Sequence, residues 1–264
     1  MRRPLLDADV LVYETAFAVE AGWKKEGKEG LPPFDKAALS LDMRVANICA
    51  VVEATERPVL YLTGKTNFRY EIAKRTPYKA RNAAKPFHYH NLKAYIKGTY
   101  DFIESVGMEA DDELSLEQTR SGESTIICSR DKDLRAVPGW HYSWENHLQP
   151  QWGPLLVDVF GNIELSPDRS SIRGHGAKFF YSQILTGDRV DSIPGLPKCG
   201  AVGAFECLET AQSIQECYER VVEAYRPLYG AAAEAEVLEQ GQLLHMTRYL
   251  DEWGYPILWE PPNV

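Results

Sequence analysis

The sequence lacks the features that mark membrane, secreted and zinc-binding proteins. None of its apolar runs approaches the roughly 20 residues that a transmembrane helix requires. The first residues include two arginines and then an aspartate, Asp7, where a signal peptide would carry its apolar stretch. The five cysteines are scattered, and no pair has the two-residue spacing of a zinc or redox motif. We therefore expect a globular protein with reduced thiols in the cytoplasm.

Repeats and low-complexity tracts are also absent, whereas apolar residues are plentiful. Of the 264 residues, 44% are hydrophobic and 11% are aromatic, which is enough to bury a full core. Strand-like apolar segments alternate with helical patterns up to about residue 160, and the remainder has mainly helical patterns. This alternation predicts an α/β fold with a parallel or mixed sheet and an α-rich C-terminal half.

Some individual elements follow from the apolar periodicity. Residues 4–13 predict a buried strand interrupted by Asp7 and Asp9, and residues 21–33 predict a loop rich in Gly, Lys and Pro. Residues 201–225 predict one long helix. The segment before it, residues 187–203, predicts a turn-rich connection.

Positive charge is scarce overall but concentrated in one segment. The formal net charge is -9, which taken alone argues against a polyanionic partner. Between Lys65 and Lys97, however, nine basic residues face one acidic residue, Glu71, and aromatic residues are interleaved with them. The simpler interpretation is a solvated helix face. Basic residues along a phosphate backbone, with aromatics on which bases stack, are typical of sites for single-stranded nucleic acid.

Acidic residues form four clusters, each with a structural explanation of its own. Carboxylates in the first turn of a helix complement its dipole, and others are ordinary turn residues. Several of the clusters, however, follow or interrupt predicted buried strands, whose carboxyl ends meet in one crevice of an α/β sheet. Hard oxygen ligands suit Mg²⁺ or Mn²⁺, and two such ions can support displacement at a phosphodiester. The clusters are Asp7 with Asp9, Glu109 with Asp111 and Asp112, Asp131 with Asp133, and Asp188 with Asp191.

The acidic clusters and the basic segment, taken in their order along the chain, resemble the motifs of the 5′-nuclease superfamily of flap endonucleases and 5′-3′ exonucleases. The resemblance covers roughly residues 4–205, and residues 240–259 are similar to the exonucleases of short-tailed phages. The matching segments are Leu5-Leu6-Asp7-Ala8-Asp9, Asn67-Phe68-Arg69, Pro77-Tyr78-Lys79-Ala80-Arg81-Asn82, Glu109-Ala110-Asp111-Asp112, Ser129-Arg130-Asp131-Lys132-Asp133-Leu134, and residues 186–197 from Thr186-Gly187-Asp188 to Gly195-Leu196-Pro197.

The resemblance implies a PIN-like, twisted, mostly parallel sheet flanked by helices, followed by a helical part that contains a helix-three-turn-helix. Residues 1–170 would form the nuclease core, with a basic arch at about 64–97. Residues 171–264 would form the helical DNA-binding part, with the helix-three-turn-helix at about 177–209.

It also implies roles for matching residues. Asp7, Glu109, Asp111 and Asp112 would hold a first metal ion, and Asp131, Asp133, Asp188 and Asp191 would hold or support a second. Lys79 and Arg81 would contact the scissile phosphate, so that the catalytic set is Lys79, Arg81 and Asp131. Nucleic acid would be bound by Arg69, Tyr78, Lys79, Arg81, Gly195, Lys198, Gly200 and Gly203.

Three positions depart from the family pattern. Thr63-Gly64 stands where an aspartate is usual, so we expect position 64 to face a weakened first metal site. Lys198 and Val202 stand where a glycine and a lysine are common, in a turn that the resemblance associates with K⁺. Arg81 and Asn82 are transposed.

The function predicted from these motifs is metal-dependent 5′-3′ exonuclease activity, together with flap endonuclease activity. The expected partners are DNA with a free 5′ end or flap, RNA primers and RNA–DNA hybrids, with the protein acting as a monomer in phage DNA replication. Two alternatives stay open at this point. One is a DNA-junction binder with weakened catalysis, and the other is a PIN-like ribonuclease.

Overall fold

The computed structural model describes residues 2–79, 84–146 and 149–262. The chain forms two compact units, each assembled from three segments. Unit one comprises Met1–Thr66, Ala83–Asp131 and Gly139–Leu156. Unit two comprises Asn67–Asn82, Lys132–Pro138 and Val157–Val264. This division differs from the single boundary expected near residue 170, because two short segments from the first part of the chain pack within unit two.

Unit one is built on a six-stranded sheet with strand order β3-β2-β1-β4-β5-β6. The pairs β1–β2, β1–β4, β2–β3 and β4–β5 are parallel, and Leu5 in β1 lies opposite Val59 on one side and Ile127 on the other. The predicted α/β class with a mostly parallel sheet is thereby confirmed. The strands are β1 (Arg3–Asp7), β2 (Val59–Leu62), β3 (Asp101–Glu104), β4 (Thr125–Cys128), β5 (Gly139–Ser143) and β6 (Trp152–Val157).

The helices of unit one bury their apolar faces against this sheet. Leu11, Leu41, Leu92 and Ile96 are fully buried in one core cluster with the strand residue Leu60. Along the chain the helices are α1 (Ala8–Lys25), α2 (Phe34–Val51), α3 (Arg69–Ile72), α4 (Tyr89–Thr99), α5 (Ala110–Ser121), α6 (Gly176–Thr186), α7 (Ala201–Leu208), α8 (Ile214–Tyr229) and α9 (Ala233–Leu244). Of these, α1, α2, α4 and α5 belong to unit one.

The strand predicted for residues 4–13 is wrong beyond Asp7. β1 ends at Asp7, and α1 begins at Ala8 and extends to Lys25, into the segment predicted as a loop. The physical reason is helix capping: Asp7 accepts a hydrogen bond from the Val10 amide and satisfies one of the free donors of the first turn. Asp7 and Asp9 therefore start a helix, and they do not share a strand face.

Unit two is mainly helical, with α3, α6, α7, α8 and α9 and one antiparallel hairpin, β7 (Asn162–Leu165) with β8 (Ile172–His175). The single helix predicted for residues 201–225 is wrong. It is divided into α7 and α8 because Ser213 caps α8, accepting from the Glu216 amide at 3.1 Å. In the core, the Tyr225 hydroxyl donates to the Ile184 carbonyl at 2.7 Å.

Among the helices in the described part of the chain, none combines the length and the apolar character that crossing a bilayer would require.

Candidate active site

Asp7 is a buried carboxylate at the carboxyl end of β1. It is 2% exposed, and it accepts hydrogen bonds from the Val10 amide at 3.1 Å and the Ser129 hydroxyl at 2.6 Å. Burial, together with the negative charge of Asp9, raises the pKa of Asp7 to about 6. A cation nearby would favour its ionised form, so Asp7 has the properties of a metal ligand.

Ser129 links Asp7 to the next strand of the sheet. Its hydroxyl donates to Asp7 and accepts from the Asp131 amide at 2.9 Å, just beyond the end of β4. The loop is held from its other side by Arg130, whose Nε lies 3.1 Å from Glu14 Oε1. Ser129 was missed in the sequence analysis. The available signal was a hydroxyl placed directly after a buried strand and two residues before a predicted ligand.

Glu109 and Asp112 form a capping box at the start of α5. The Glu109 amide donates to Asp112 Oδ2 at 3.1 Å, and the Glu109 side chain accepts from the Asp112 amide. Asp111, in the same first turn, is half-buried. The Ala110 amide donates to the Thr63 hydroxyl at 2.9 Å, which ties α5 to the end of β2. The acidic residues of this helix therefore have a capping role in addition to any role in metal binding.

The end of β2 carries Thr63 and Gly64, where an aspartate was expected. The Thr63 amide donates to Asp9 Oδ2 at 2.8 Å, and Lys93 Nζ lies 3.5 Å from Asp9 Oδ1. A Cβ added at Gly64 would overlap the carbonyl oxygen of Ser105, so a side chain there has no room without a backbone shift. The expectation that position 64 faces a metal is therefore wrong. Asp9 is the carboxylate that meets this strand end.

Unit two contains a second carboxylate pair, Asp133 and Asp188, and a lysine lies between them. Lys132 Nζ is 2.8 Å from Asp133 Oδ1 and 2.6 Å from Asp188 Oδ2. Burial works against ionisation of Lys132 and Asp188. The charge of Lys132 nevertheless lowers the pKa of Asp188 below its usual value, and the two aspartates raise the pKa of Lys132. Lys132 was not among the residues singled out from the sequence.

Asp191 contacts two residues of the predicted arch. The Tyr78 hydroxyl donates to Asp191 Oδ2 at 3.0 Å, and the Lys79 amide donates to the Asp191 carbonyl at 3.0 Å. Lys79 Nζ lies 3.6 Å from Asp191 Oδ1, and the Lys79 side chain is about one-third exposed. Tyr78 is only 5% exposed. Its ring is thus part of the unit-two core, and it offers no open face for stacking a base.

Arg69 does not occupy the position predicted for a phosphate contact. It is fully buried, and its guanidinium donates to the carbonyls of Leu243 and His245, both at 2.9 Å. The predicted nucleic-acid contact at Arg69 is therefore wrong, because all of this side chain is withdrawn from solvent. Its role is to anchor the C-terminal end of α9 and the residue that follows it.

Other cations of the basic segment are paired with acids. Arg75 pairs with Glu236 within unit two. In unit one, Lys97 Nζ lies 2.6 Å from Glu104 Oε2, in addition to the Lys93–Asp9 pair. Arg81 belongs to residues 80–83, outside the described residues. The local positive charge is thus partly neutralised by neighbours, which a count along the sequence could not reveal.

The turn between α6 and α7 contains the glycines predicted to meet duplex DNA. Gly195 has φ +64°, and its amide donates to the buried side chain of Gln240 at 3.0 Å. Lys198 has φ +67°, in the left-handed region that favours glycine, which gives a physical reason for glycine at the matching family position. Gly200 caps α7 and Gly203 lies within it. Amides at such a helix start bind phosphate without reading sequence.

The acidic residues supply suitable atoms for a hard divalent ion, since all the predicted ligands are carboxylates and the Asp7 carboxylate is buried with a raised pKa. Their spacing is open, however. In the described ranges, no three Asp, Glu, His or Cys side chains converge closely enough to form a metal site. The carboxylates therefore suit the predicted metal chemically, but in the described ranges they are not arranged as a complete coordination site.

Comparison with known proteins gives two curated relatives. A 5′-3′ exonuclease from Buchnera aphidicola subsp. Schizaphis graminum is 26% identical over 176 residues, covering 62% of this chain and 55% of the relative. DNA polymerase I from Rhizobium leguminosarum is 30% identical over 126 residues, covering 46% of this chain and 11% of the relative. The chain thus spans about half of the first relative and a tenth of the second. No family model matches the chain.

Two solved structures share the fold. One is a complex of the bacteriophage T5 D15 flap endonuclease with DNA and metal ions, with TM-score 0.50 and 14% identity, covering 92% of this chain and 99% of that chain. The other is the catalytic core of Rad2 in complex with DNA substrate, with TM-score 0.50 and 13% identity, covering 99% of this chain and 83% of that chain. At these identities the likeness establishes the fold.

Proposed function

We propose that this chain is a member of the 5′-nuclease superfamily, a divalent-metal-dependent 5′-3′ exonuclease that also cuts flaps. Its substrate would be DNA with a free 5′ end or flap, an RNA primer or an RNA–DNA hybrid. The observation that carries the proposal is the Asp7–Ser129–Asp131 link, in which one hydroxyl connects the carboxylate at the end of β1 with the loop that carries Asp131 after the adjacent parallel strand β4.

Each carboxylate set would hold one ion. Mg²⁺ or Mn²⁺, when bound, would activate water and stabilise charge on the phosphodiester. In unit one, Ser129 would keep Asp7 oriented, and the capping box would fix Glu109 and Asp112. In unit two, backbone amides of Val190 and Asp191 donate to Asp188 Oδ1 at 2.7 and 3.3 Å, so this carboxylate is held by its own turn.

Substrate contacts would come from the chain's cations and turn amides. Lys79 would bind the scissile phosphate together with Arg81, because its half-buried side chain already lies beside an acidic residue of the site. Gly195, Lys198, Gly200 and Gly203 would meet the duplex backbone, with K⁺ bound at the same turn. We further propose action as a monomer in phage DNA replication, from the likeness of residues 240–259 to short-tailed phage exonucleases.

One alternative has a specific observation in its favour. The open spacing of the acidic residues in the described ranges favours a DNA-junction binder with weakened catalysis. Such a protein would retain the phosphate contacts of unit two and lose turnover.

Cleavage of a 5′-labelled duplex and of a 5′-flap substrate, with Mg²⁺ or with excess chelator, tests the proposal. We expect labelled mononucleotides from the duplex and a short labelled oligomer from the flap, both only with Mg²⁺. Binding of both substrates without any cleavage would favour the junction binder. Cleavage of single-stranded RNA with both DNA substrates intact would favour a PIN-like ribonuclease.

A further inference from the structure

The pair Asp133 and Asp188 in unit two already has a cation between its members. The Lys132 ammonium lies within 2.8 Å of one carboxylate oxygen from each aspartate. Hydrogen bonds between ionised partners at this distance are the strong ones in proteins. The ammonium thus offsets part of the charge of two carboxylates to which the family resemblance assigns a metal ion.

The two aspartates are held by groups other than Lys132 as well. Gln183 donates to Asp133, and the Val190 amide donates to Asp188 Oδ1 at 2.7 Å. The Lys132 side chain, in contrast, is 50% exposed and contacts the two aspartates through its charged end. Both carboxylates would therefore keep these partners if the ammonium moved into solvent.

We propose that Lys132 is an internal counter-ion of the Asp133–Asp188 pair, which a divalent ion has to displace before this pair can bind it. The inference rests on the proposed function for the identity of the ion. It assigns to Lys132 a positioning role that sets the metal affinity of unit two. In unit one the donors to Asp7 are the neutral Val10 amide and Ser129 hydroxyl, while Lys93 contacts the neighbouring Asp9, so an ion bound at Asp7 competes with neutral donors.

The test is a Mn²⁺ titration of the full chain without DNA, in which the paramagnetic resonance signal of free Mn²⁺ reports the number and affinity of bound ions. Lys132→Met keeps an unbranched side chain only one atom shorter and removes its charge, and Lys132→Gln provides a second neutral variant. Lys74→Met is the matched control, because it removes an equal charge from an exposed position of the same unit. Thermal melts establish that each variant is folded.

We expect both Lys132 variants to strengthen one Mn²⁺ site by roughly tenfold or more, because a competing charge at contact distance is removed. Lys74→Met should leave every site unchanged, and Lys132→Met/Asp188→Asn should lose the gain. Unchanged Mn²⁺ affinity in both Lys132 variants overturns the inference, as does an equal gain in Lys74→Met. If the wild type binds Mn²⁺ but does not cleave the labelled substrates, the proposed function fails separately, and the comparison of variants still decides the role of Lys132.

Discussion

The acidic residues of the two units are stabilised in different ways. In unit one, Asp7 relies on neutral donors, a serine hydroxyl and a backbone amide, and its pKa is raised by burial. In unit two, Asp188 relies on an ammonium, and its pKa is lowered. The first arrangement leaves negative charge that a metal ion would neutralise, and the second offsets part of its negative charge internally.

This difference means that equal motifs do not imply equal metal sites. A pair of aspartates two or three residues apart occurs in both units, but what surrounds the pair determines its affinity for a cation. We expect ion binding in unit one to relieve the cost of a buried charge, and ion binding in unit two to require the departure of Lys132.

Loss of the Asp131 charge tests most strongly whether the chemistry depends on unit one. We expect Asp131→Asn to lower cleavage by more than about a hundredfold, since even the loss of an outer-shell partner costs about 10–100-fold. DNA binding, measured with chelator present, should be unchanged. Asp101→Asn, at an exposed position of the same sheet, is the control. Wild-type turnover by a folded Asp131→Asn protein would remove Asp131 from the site.

Substitution of Lys79 tests whether a cation of unit two binds the substrate phosphate or only pairs with its acidic neighbour, Asp191. If it contacts phosphate, Lys79→Ala slows cleavage strongly and lowers the salt slope of DNA binding by about one. If it serves only as a counter-ion of Asp191, the salt slope and the rate stay unchanged and only stability falls. Lys74→Ala, which removes an exposed charge of the same unit, controls for general electrostatics.

Matched amide substitutions in the two units should change stability in opposite directions. The folded pKa of Asp7 is about 6, above its unfolded value of 3.8. The stability that protonated Asp7 contributes is therefore fully present below pH 3.8 and is lost as pH rises through 6. Asp7→Asn removes this loss and still caps α1, and we expect a gain of roughly 1 kcal/mol or more at pH 8, since one pKa unit corresponds to about 1.4 kcal/mol.

Asp188 has a lowered pKa, so its contribution is present above pH 3.8 and lost as pH falls through its folded pKa. Asp188→Asn should therefore cost roughly 1 kcal/mol at pH 8, a modest value because half of Lys132 is solvated. Urea melts in chelator at pH 5 and pH 8 measure both variants. If both substitutions change stability in the same direction at pH 8, the difference between the two clusters is not electrostatic.

Much of this architecture could be predicted from the sequence, and the failures have identifiable causes. The parallel sheet followed from alternating apolar runs, and the acidic clusters could be singled out by their positions after buried strands. The start of α1 was missed because Asp7 serves both as the end of a strand and as a helix cap. Arg69 was misassigned, since pairing with the carbonyls of Leu243 and His245 joins residues more than 170 positions apart. Local patterns contain no information on such contacts.

The units also differ in backbone strain. Of the non-glycine residues with left-handed φ in the described ranges, Glu53 belongs to unit one and the others belong to unit two: Lys79, Arg169, Ser192 and Lys198. Such a conformation costs on the order of 1 kcal/mol for a residue with a Cβ. Two of these residues, Ser192 and Lys198, lie in the connection between α6 and α7, so strain is concentrated in the segment proposed to meet DNA.

Lys198→Gly should relieve this strain with the smallest effect of the series. Glycine removes the Cβ penalty but adds freedom to the unfolded chain, so we expect a net gain of roughly 0.5 kcal/mol. Lys198→Ala keeps the strain and removes the same charge. Both variants should lower the salt slope of DNA binding equally, by about one if Lys198 contacts phosphate, while only the glycine variant melts at a higher temperature.

Glu53→Gly makes the same backbone change in unit one, away from the turn, and should gain stability without altering the salt slope. If Lys198→Ala is stabilised as much as Lys198→Gly, the gain comes from removing charge, and the left-handed backbone at this turn is not under strain.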